Sequence, residues 1–591
     1  MSGVDAGDAI SLDVIGAPVD VIARLCPLAV LTAAFAHNLH YSWLKWGDLV
    51  ADCGNELEVP RQLVAGHVLY RDVRYFYGPL APYLNALLFR VFGVHAGVLM
   101  AAGAVSAALM CALLYALTRQ FTGRLPATLA AGAFLYLCAF GHLYWNGSFN
   151  WVLPYSYAAT YGMVAGTASL LFLIAHATSG TRQFHVLAVS ALGLSALTKL
   201  EPLVAAAAAH VVFVIGAWPL GRRRIETYAA GTAVVVAVYA AFRALAGGAL
   251  WTYNLAILAN PRMVPMFRLH AGLADWRTSV TVMAVAESTL ALGLVATVAG
   301  VASLIAARLP LMRWSRLMPR LLTAATAAIV YAGLPLLATF RVLPVLAASV
   351  LPGLLRRCRG DPLPRALLWG FALACLARTP LAAGAFHYGF YLLPVPLAAL
   401  VVFWFEDLGR LLPPSPARAA IIACGGAALI TTVTYRHYAR SRPVYDHTTV
   451  LVRAPRGTMY VLDRVAGFPT GDAHAETVRR LAELPAGTRV IAGPTGVGLS
   501  FVSGSESSCG WYGFFPNEVP TDGADERLLD CLRRDPPDVV VWLAMDLFEE
   551  WGSRGFGVDY ARRSAAWLQA NYAVDARIGP AGYVTILKPA R

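Results

Sequence analysis

Apolar runs of about 20 residues, the length a helix needs to cross a bilayer core, recur from Val21 to about Arg440, separated by short polar turns. Their pattern predicts about thirteen spans, starting near Val21, Gly97, Leu125, Ser156, His185, Pro202, Tyr228, Ser279, Leu321, Val342, Ala366, Tyr388 and Ala419. The runs around Lys199 and Arg341 are the weakest of the set. Beyond Arg440 the period changes. Short β-branched runs at 489–492 and 538–543 alternate with helix-like stretches at 475–484 and 560–572, which predicts a small α/β domain. The expected organisation is therefore a tail over 1–20, a transmembrane domain over 21–439 and an extracytoplasmic α/β domain over 440–591.

Composition agrees with the pattern. Of the 591 residues 58% are hydrophobic and 14% charged, against roughly 25% charged in a soluble protein. A single water-soluble globule is excluded, and the chain reads as a polytopic α-helical membrane protein with the lipid bilayer as an obligatory partner.

The net charge of +13 changes less than it suggests. Residues 440–591 carry 17 Lys and Arg against 18 Asp and Glu, so the whole excess lies in the membrane part. There it forms Arg-rich turns between alternate spans: 119–124, 182, 222–224, 308–320, 356–365 and 410–418. One orientation places all of them in the cytoplasm, with the N-terminus inside and the C-terminal domain outside. This pattern of basic turns argues against nucleic acid as a partner. The first 20 residues hold four Asp and no Lys or Arg, so the first run is expected to stay as an anchor rather than be cleaved. The bias towards Arg and Ala points to a GC-rich bacterium and its plasma membrane.

This orientation leaves five exterior segments: 45–82, 144–155, 199–201, 247–278 and 378–387. The membrane part has only 16 acidic residues, and Asp48, Asp52, Glu56, Glu58 and Asp72 all fall in the first of these loops. Carboxylates beside a bilayer are costly to hold, which makes this cluster a candidate site. The same loop carries Trp46, Arg61, Arg71, Arg74, Tyr70, Tyr75 and Tyr77. Aromatic rings stack on sugar faces, and guanidinium groups fork onto phosphate oxygens. The plainer alternative is a solvated loop edged by an interfacial aromatic belt.

The loop reads Asp52-Cys53-Gly54-Asn55-Glu56, then Pro60-Arg61-Gln62-Leu63, then Gly66-His67-Val68-Leu69-Tyr70-Arg71-Asp72, and ends Tyr77-Gly78-Pro79-Leu80. This stretch resembles the first extracytoplasmic loop of the GT-C superfamily of membrane glycosyltransferases, which includes protein O-mannosyltransferases and aminoarabinose transferases. The resemblance is good over about 30 residues and loose over the rest. It implies a GT-C-like fold and transfer of a sugar from a polyprenyl-phosphate donor to a glycan, lipid or protein acceptor, with inversion. It maps the catalytic acid onto Asp52, although Cys53 follows where the mannosyltransferases have an Asp-Glu pair. Glu56 and Asp72 are then second choices, and Asp48 is a third.

Such chemistry needs a base for the acceptor proton and positive charge for the departing phosphate. Asp52 is the expected base. The candidate phosphate groups are Arg61, Arg71, Lys199, Arg341 and His387, and the candidate sugar or acceptor contacts are Asp48, Tyr70, Tyr75, Tyr77 and Glu201. Lys199 stands out because Lys occurs three times in the chain against 44 Arg; it could hold phosphate or merely pair with Glu201. Glu287 lies inside a predicted span and is expected near its outer end.

No His/Cys cluster has metal-ligand spacing, so no cofactor is assigned, though two carboxylates in the first loop could recruit a divalent cation. Cys509 and Cys531 could pair outside the membrane. The run 493–498, Gly-Pro-Thr-Gly-Val-Gly, lacks the Lys-Ser/Thr ending of a phosphate loop, and Asn146-Gly147-Ser148 is a formal sequon. Two other functions remain open: a transporter or flippase of lipid-linked saccharides, and a scaffold whose exterior domain binds partners through Trp511, Tyr512, Phe514 and Phe515.

Overall fold

Helix recurs along the apolar part of the chain in the computed structural model, which describes residues 16–50, 52–143, 147–250, 264–274, 278–308, 314–411, 418–465, 469–546 and 552–590. Asn146 of the sequon lies outside these. The N-terminal half comprises α1 (Gly16–Tyr41), α2 (Cys53–Val64), α3 (Leu80–Phe92), α4 (Ala96–Arg119), α5 (Arg124–Phe134), α6 (Tyr157–Ser179), α7 (Arg182–Ala196), α8 (Leu200–Gly216) and α9 (Arg222–Ala246). Among the described residues five helices are long and apolar enough to cross a membrane: α4, α6, α9, Ser279–Ile305 and Arg418–Asp446. Shorter apolar helices pack between them. The chain is a mostly helical, multi-pass membrane protein with a C-terminal sheet region.

The last long helix, Arg418–Asp446, runs straight into the C-terminal domain. That domain opens with an antiparallel hairpin, β1 (Thr448–Ala454) and β2 (Gly457–Leu462). Its five-stranded sheet adds β3 (Arg489–Gly493), β4 (Glu506–Ser507), β5 (Val539–Leu543), β6 (Tyr572–Ile578) and β7 (Val584–Pro589) in the order β4-β3-β5-β7-β6. β3 pairs in parallel with β4 and β5, and β7 pairs antiparallel with β5 and β6. The central strands β3 and β5 are nearly continuous in apolar burial, as expected where both faces of a sheet are covered.

One close approach seats this domain on the first loop, and a second seats the end of that loop on the turn before α8. The helix Val497–Ser503 is buried throughout. It crosses α2 so tightly that a Cβ on Gly54 would lie 2.4 Å from the Gly498 nitrogen. Thr495 Oγ1 donates to the Val50 carbonyl at 2.7 Å. The Gly-rich run 493–498 is thus a packing wedge between the two parts. The second approach is at Gly78, whose Cβ would lie 2.4 Å from the Leu197 carbonyl oxygen. Gly78 N donates to Thr198 O at 2.5 Å and Leu80 N to Leu197 O at 2.9 Å. Only glycine lets the end of the first loop lie against the turn that carries Lys199.

Candidate active site

Between the first loop, the end of α7, the start of α8, the last turns of α9 and the C-terminal domain lies a cavity of about 1570 Å³. Asp48, Asp52, Glu56, Tyr75, Tyr77, Lys199, Glu201 and His387 of the expected site residues line it.

α2 explains how the first carboxylates meet. Asp52 is its N-cap residue and Glu56 follows four positions on, so the two share one helical face. Asp52 is accessible to water through the cavity. It is nevertheless recessed enough that lost hydration raises its carboxyl to about 6, with the Lys199 charge pulling it down and Asp48 pushing it up. Glu56 is held rather than free. Its carboxylate accepts from the Tyr157 N–H at 2.9 Å, capping the start of α6, and from Tyr75 OH at 3.1 Å. Burial raises Glu56 further, to about 8, against those two hydrogen bonds.

Opposite lies a cationic cluster at the start of α8. Lys199 donates to Tyr155 OH, lies 3.5 Å from Tyr391 OH and is 3.7 Å from Glu201 Oε1. Its ammonium sits over the rings of Tyr77 and Tyr155, each at 4.7 Å, and of Tyr391 at 5.2 Å. Arg378 pairs with the same Glu201 carboxylate and lies 4.2 Å above the Tyr388 ring. Burial lowers the Lys199 ammonium to about 8, with Glu201 opposing it. The cluster is two cations and one carboxylate in an aromatic cage that adjoins Asp52 within the same cavity.

His387 edges this cage in an uncommon conformation, φ +52°, for a non-glycine residue. Its ring lies 4.2 Å from that of His270 and 4.3 Å from that of Phe149. Burial keeps its imidazole neutral, so His387 contributes a ring surface rather than a charge.

The remaining candidates lie elsewhere. Arg61 binds Glu58, with Nη2 at 2.6 Å, and Glu506 of the C-terminal domain at 2.5 Å, and so acts as an interdomain bridge away from the cavity. Arg71 and Asp72 pair with each other at 2.8 Å, and Asp72 also accepts from the Val68 N–H at 2.8 Å. The Gly66-to-Asp72 motif thereby folds a tight turn, with Tyr70 anchoring it through a 2.7 Å bond to the Tyr77 carbonyl. Arg341 lies between the turn at Leu336–Ala338 and the helix Leu343–Leu355, outside the cavity lining. Glu287 is exposed on the helix Thr278–Arg308 and also stands apart. Cys509 and Cys531 are free thiols, with Cys531 Sγ 3.3 Å from the Cys509 carbonyl. Among the described residues no group of three or more His, Cys, Asp or Glu side chains is placed to hold a metal ion.

Sequence reasoning missed Arg378, Tyr155, Tyr391 and Glu518. Arg378 follows an apolar run and precedes a proline two residues on, much as Arg341 does, and nothing local separates the two. Glu518 comes from the C-terminal domain, pairs with Arg74 at 3.1 Å and lines the same cavity as Asp52.

No family model matches this chain, and no curated protein does. Among solved structures it is similar to ArnT from Cupriavidus metallidurans bound to undecaprenyl phosphate, with TM-score 0.43 and 13% identity over 97% of this chain and 98% of that one. It is also similar to the archaeal oligosaccharyltransferase AglB from Archaeoglobus fulgidus in complex with an inhibitory peptide and a dolichol-phosphate. There the TM-score is 0.47, with 14% identity over 88% of this chain and 70% of that one.

Proposed function

We propose that this protein is a GT-C-type glycosyltransferase that moves a sugar from a polyprenyl-phosphate carrier to an acceptor at the outer face of the bacterial plasma membrane. The observation that carries this reading is the pairing, in one cavity, of a water-accessible carboxylate at Asp52 with the caged cations Lys199 and Arg378. In this reading Lys199 and Arg378 hold the donor phosphate and stabilise the charge that grows on its oxygen as the glycosidic bond breaks. Asp52 accepts the acceptor proton as the new bond forms, and a single displacement inverts the anomeric centre. The carrier chain leaves the cage along the apolar wall formed by Leu203, Val235, Val236 and Ala240.

Sidedness is part of the same proposal, with thirteen spans, the N-terminus inside and the C-terminal domain outside. Supporting it, Ala96 N at the start of α4 bonds to Arg456 of the C-terminal domain, α6 starts at Glu56, and α8 starts beside Lys199. The basic turns at 119–124, 182 and 222–224 then fall at the far ends of these helices.

The test is transfer of radiolabelled sugar from a panel of polyprenyl-phosphate sugars by the purified protein and its Asp52→Asn variant. The expected result is transfer by the parent and a loss of about 10² to 10⁴ in kcat for the variant, with donor binding retained. Equal transfer by both would remove Asp52 from the reaction.

A further inference from the structure

The cavity is electrically two-ended, and its second end begins at Asp52, beside the cationic cage. There the first loop contributes Asp48, Asp52 and Asn55, while the C-terminal domain contributes Glu518, Asn517 and Asp546. The cation Arg74 also lines this end, but it is engaged: its guanidinium binds Glu518 at 3.1 Å and stacks 3.6 Å from the Trp511 ring. His474, which also lines the cavity, is buried; desolvation pushes its imidazole down against the pull of Asp48, and its Nε2 lies 3.2 Å from Tyr583 OH.

A second observation is independent of charge. Asn55 Oδ1, Asn517 Oδ1, Thr470 Oγ1 and Tyr512 OH, all on residues lining this end, have no hydrogen-bond partner among the described residues. Tyr512 and Thr470 are each only 5% exposed. Buried polar groups are normally paired, so such a set marks a place where a ligand or water supplies the partners. Two of the four are amide oxygens and can only accept.

We propose that this end of the cavity binds the acceptor, and that the acceptor is a neutral or amino-bearing glycan that donates hydrogen bonds, with phosphate and carboxylate groups turned away. A hydroxyl or ammonium donates to Asn55, Asn517 and the carboxylates at once. A phosphate or carboxylate brings only acceptors and meets a field of its own sign. Glu518 and Asp546 are the specificity-determining residues, so the C-terminal domain is half of the site rather than an appendage. The identity of the bound group as an acceptor rests on the transferase reading, whereas the charge and hydrogen-bond character of the chamber does not.

The experiment therefore reads the chamber without turnover. Ala544, exposed at this end, is replaced in the full-length protein (Ala544→Cys). Its modification rates with the ethyltrimethylammonium and the ethylsulfonate methanethiosulfonates are followed by mass spectrometry of that peptide. Each rate is normalised to that of 2-mercaptoethanol. Each kT of negative potential favours the cationic reagent about sevenfold, so a normalised preference of about tenfold or more is expected. Adding Glu518→Gln and Asp546→Asn is expected to bring the ratio towards one. A ratio of one or below in Ala544→Cys alone overturns the proposal, as does a thiol that neither reagent reaches. If the ratio holds while the donor panel shows no transfer, the acidic chamber stands and the transferase reading fails.

Discussion

Removing the Arg61 guanidinium while keeping its aliphatic bulk, as Arg61→Met, separates a structural role from a phosphate-binding one. Arg61 Nε and Nη2 donate to Glu58 at 2.8 and 2.6 Å, and Gln62 donates to Glu58 at 2.8 Å. Glu58 is fully buried, while Glu506, the third member, is partly exposed. The variant strands the Glu58 carboxylate in the interior, which costs about 3–5 kcal/mol. The freed Glu506 adds no more than about 1 kcal/mol. For the C-terminal domain and the loop it seats on, the expected fall in apparent melting midpoint is roughly 6–20 °C. The deficit also acquires a pH dependence. The deficit is tied to the charge of that carboxylate, so it is largest where the carboxylate must be buried ionised and smaller in acid. The slope is up to about 1.4 kcal/mol per pH unit. The double variant Arg61→Met with Glu58→Gln leaves a neutral amide beside Gln62 and is expected to recover most of the loss. The assay is thermal unfolding in detergent at pH 5, 6.5 and 8, together with the donor KM of the folded fraction. An Arg61→Met protein as stable as its parent, with donor KM raised tenfold, would refute the interdomain-bridge account and return Arg61 to the phosphate site.

The remaining predictions concern the cavity. In kcat/KM against pH, Asp52 must be ionised and Lys199 protonated, so activity is expected to fall below about 6 and above about 8; a flat profile from pH 5 to 9 counts against both roles. Tyr155→Phe removes the hydroxyl that accepts a hydrogen bond from Lys199, so donor binding is expected to weaken by about 1.5–3 kcal/mol, with the basic limb moving to lower pH. Gly78→Ala places a Cβ 2.4 Å from the Leu197 carbonyl and pushes the Lys199 turn away; transfer is expected to fall at least tenfold while α2 and its docking to the C-terminal domain persist, as limited proteolysis can check.

Membrane architecture was legible in the sequence because it depends on local composition. Twenty apolar residues form a span wherever they occur, since lipid offers no partner for an open backbone, and short β-branched runs after Arg440 mark strands irrespective of their neighbours. Asp52 and Lys199 could be singled out for the same kind of reason: one lies in an acid cluster within an acid-poor domain, and the other is one of three lysines. Which arginines serve the site was not legible. Arg61, Arg71, Arg341 and Arg378 look alike in sequence, and only the fold gives Arg61 to Glu58 and Glu506, Arg71 to Asp72, and Arg378 to Glu201 beside Lys199. Glu518 stands 466 positions from Asp52, and a contact between residues so far apart is settled by packing, here the crossing of Gly54 on Gly498. The sequence by itself determined that the chain lives in a bilayer and that carboxylates gather on one loop. The tertiary structure alone decided which charges neutralise one another and which face the cavity, because a charge's role depends on the partner within about 4 Å, and that partner is chosen by the fold.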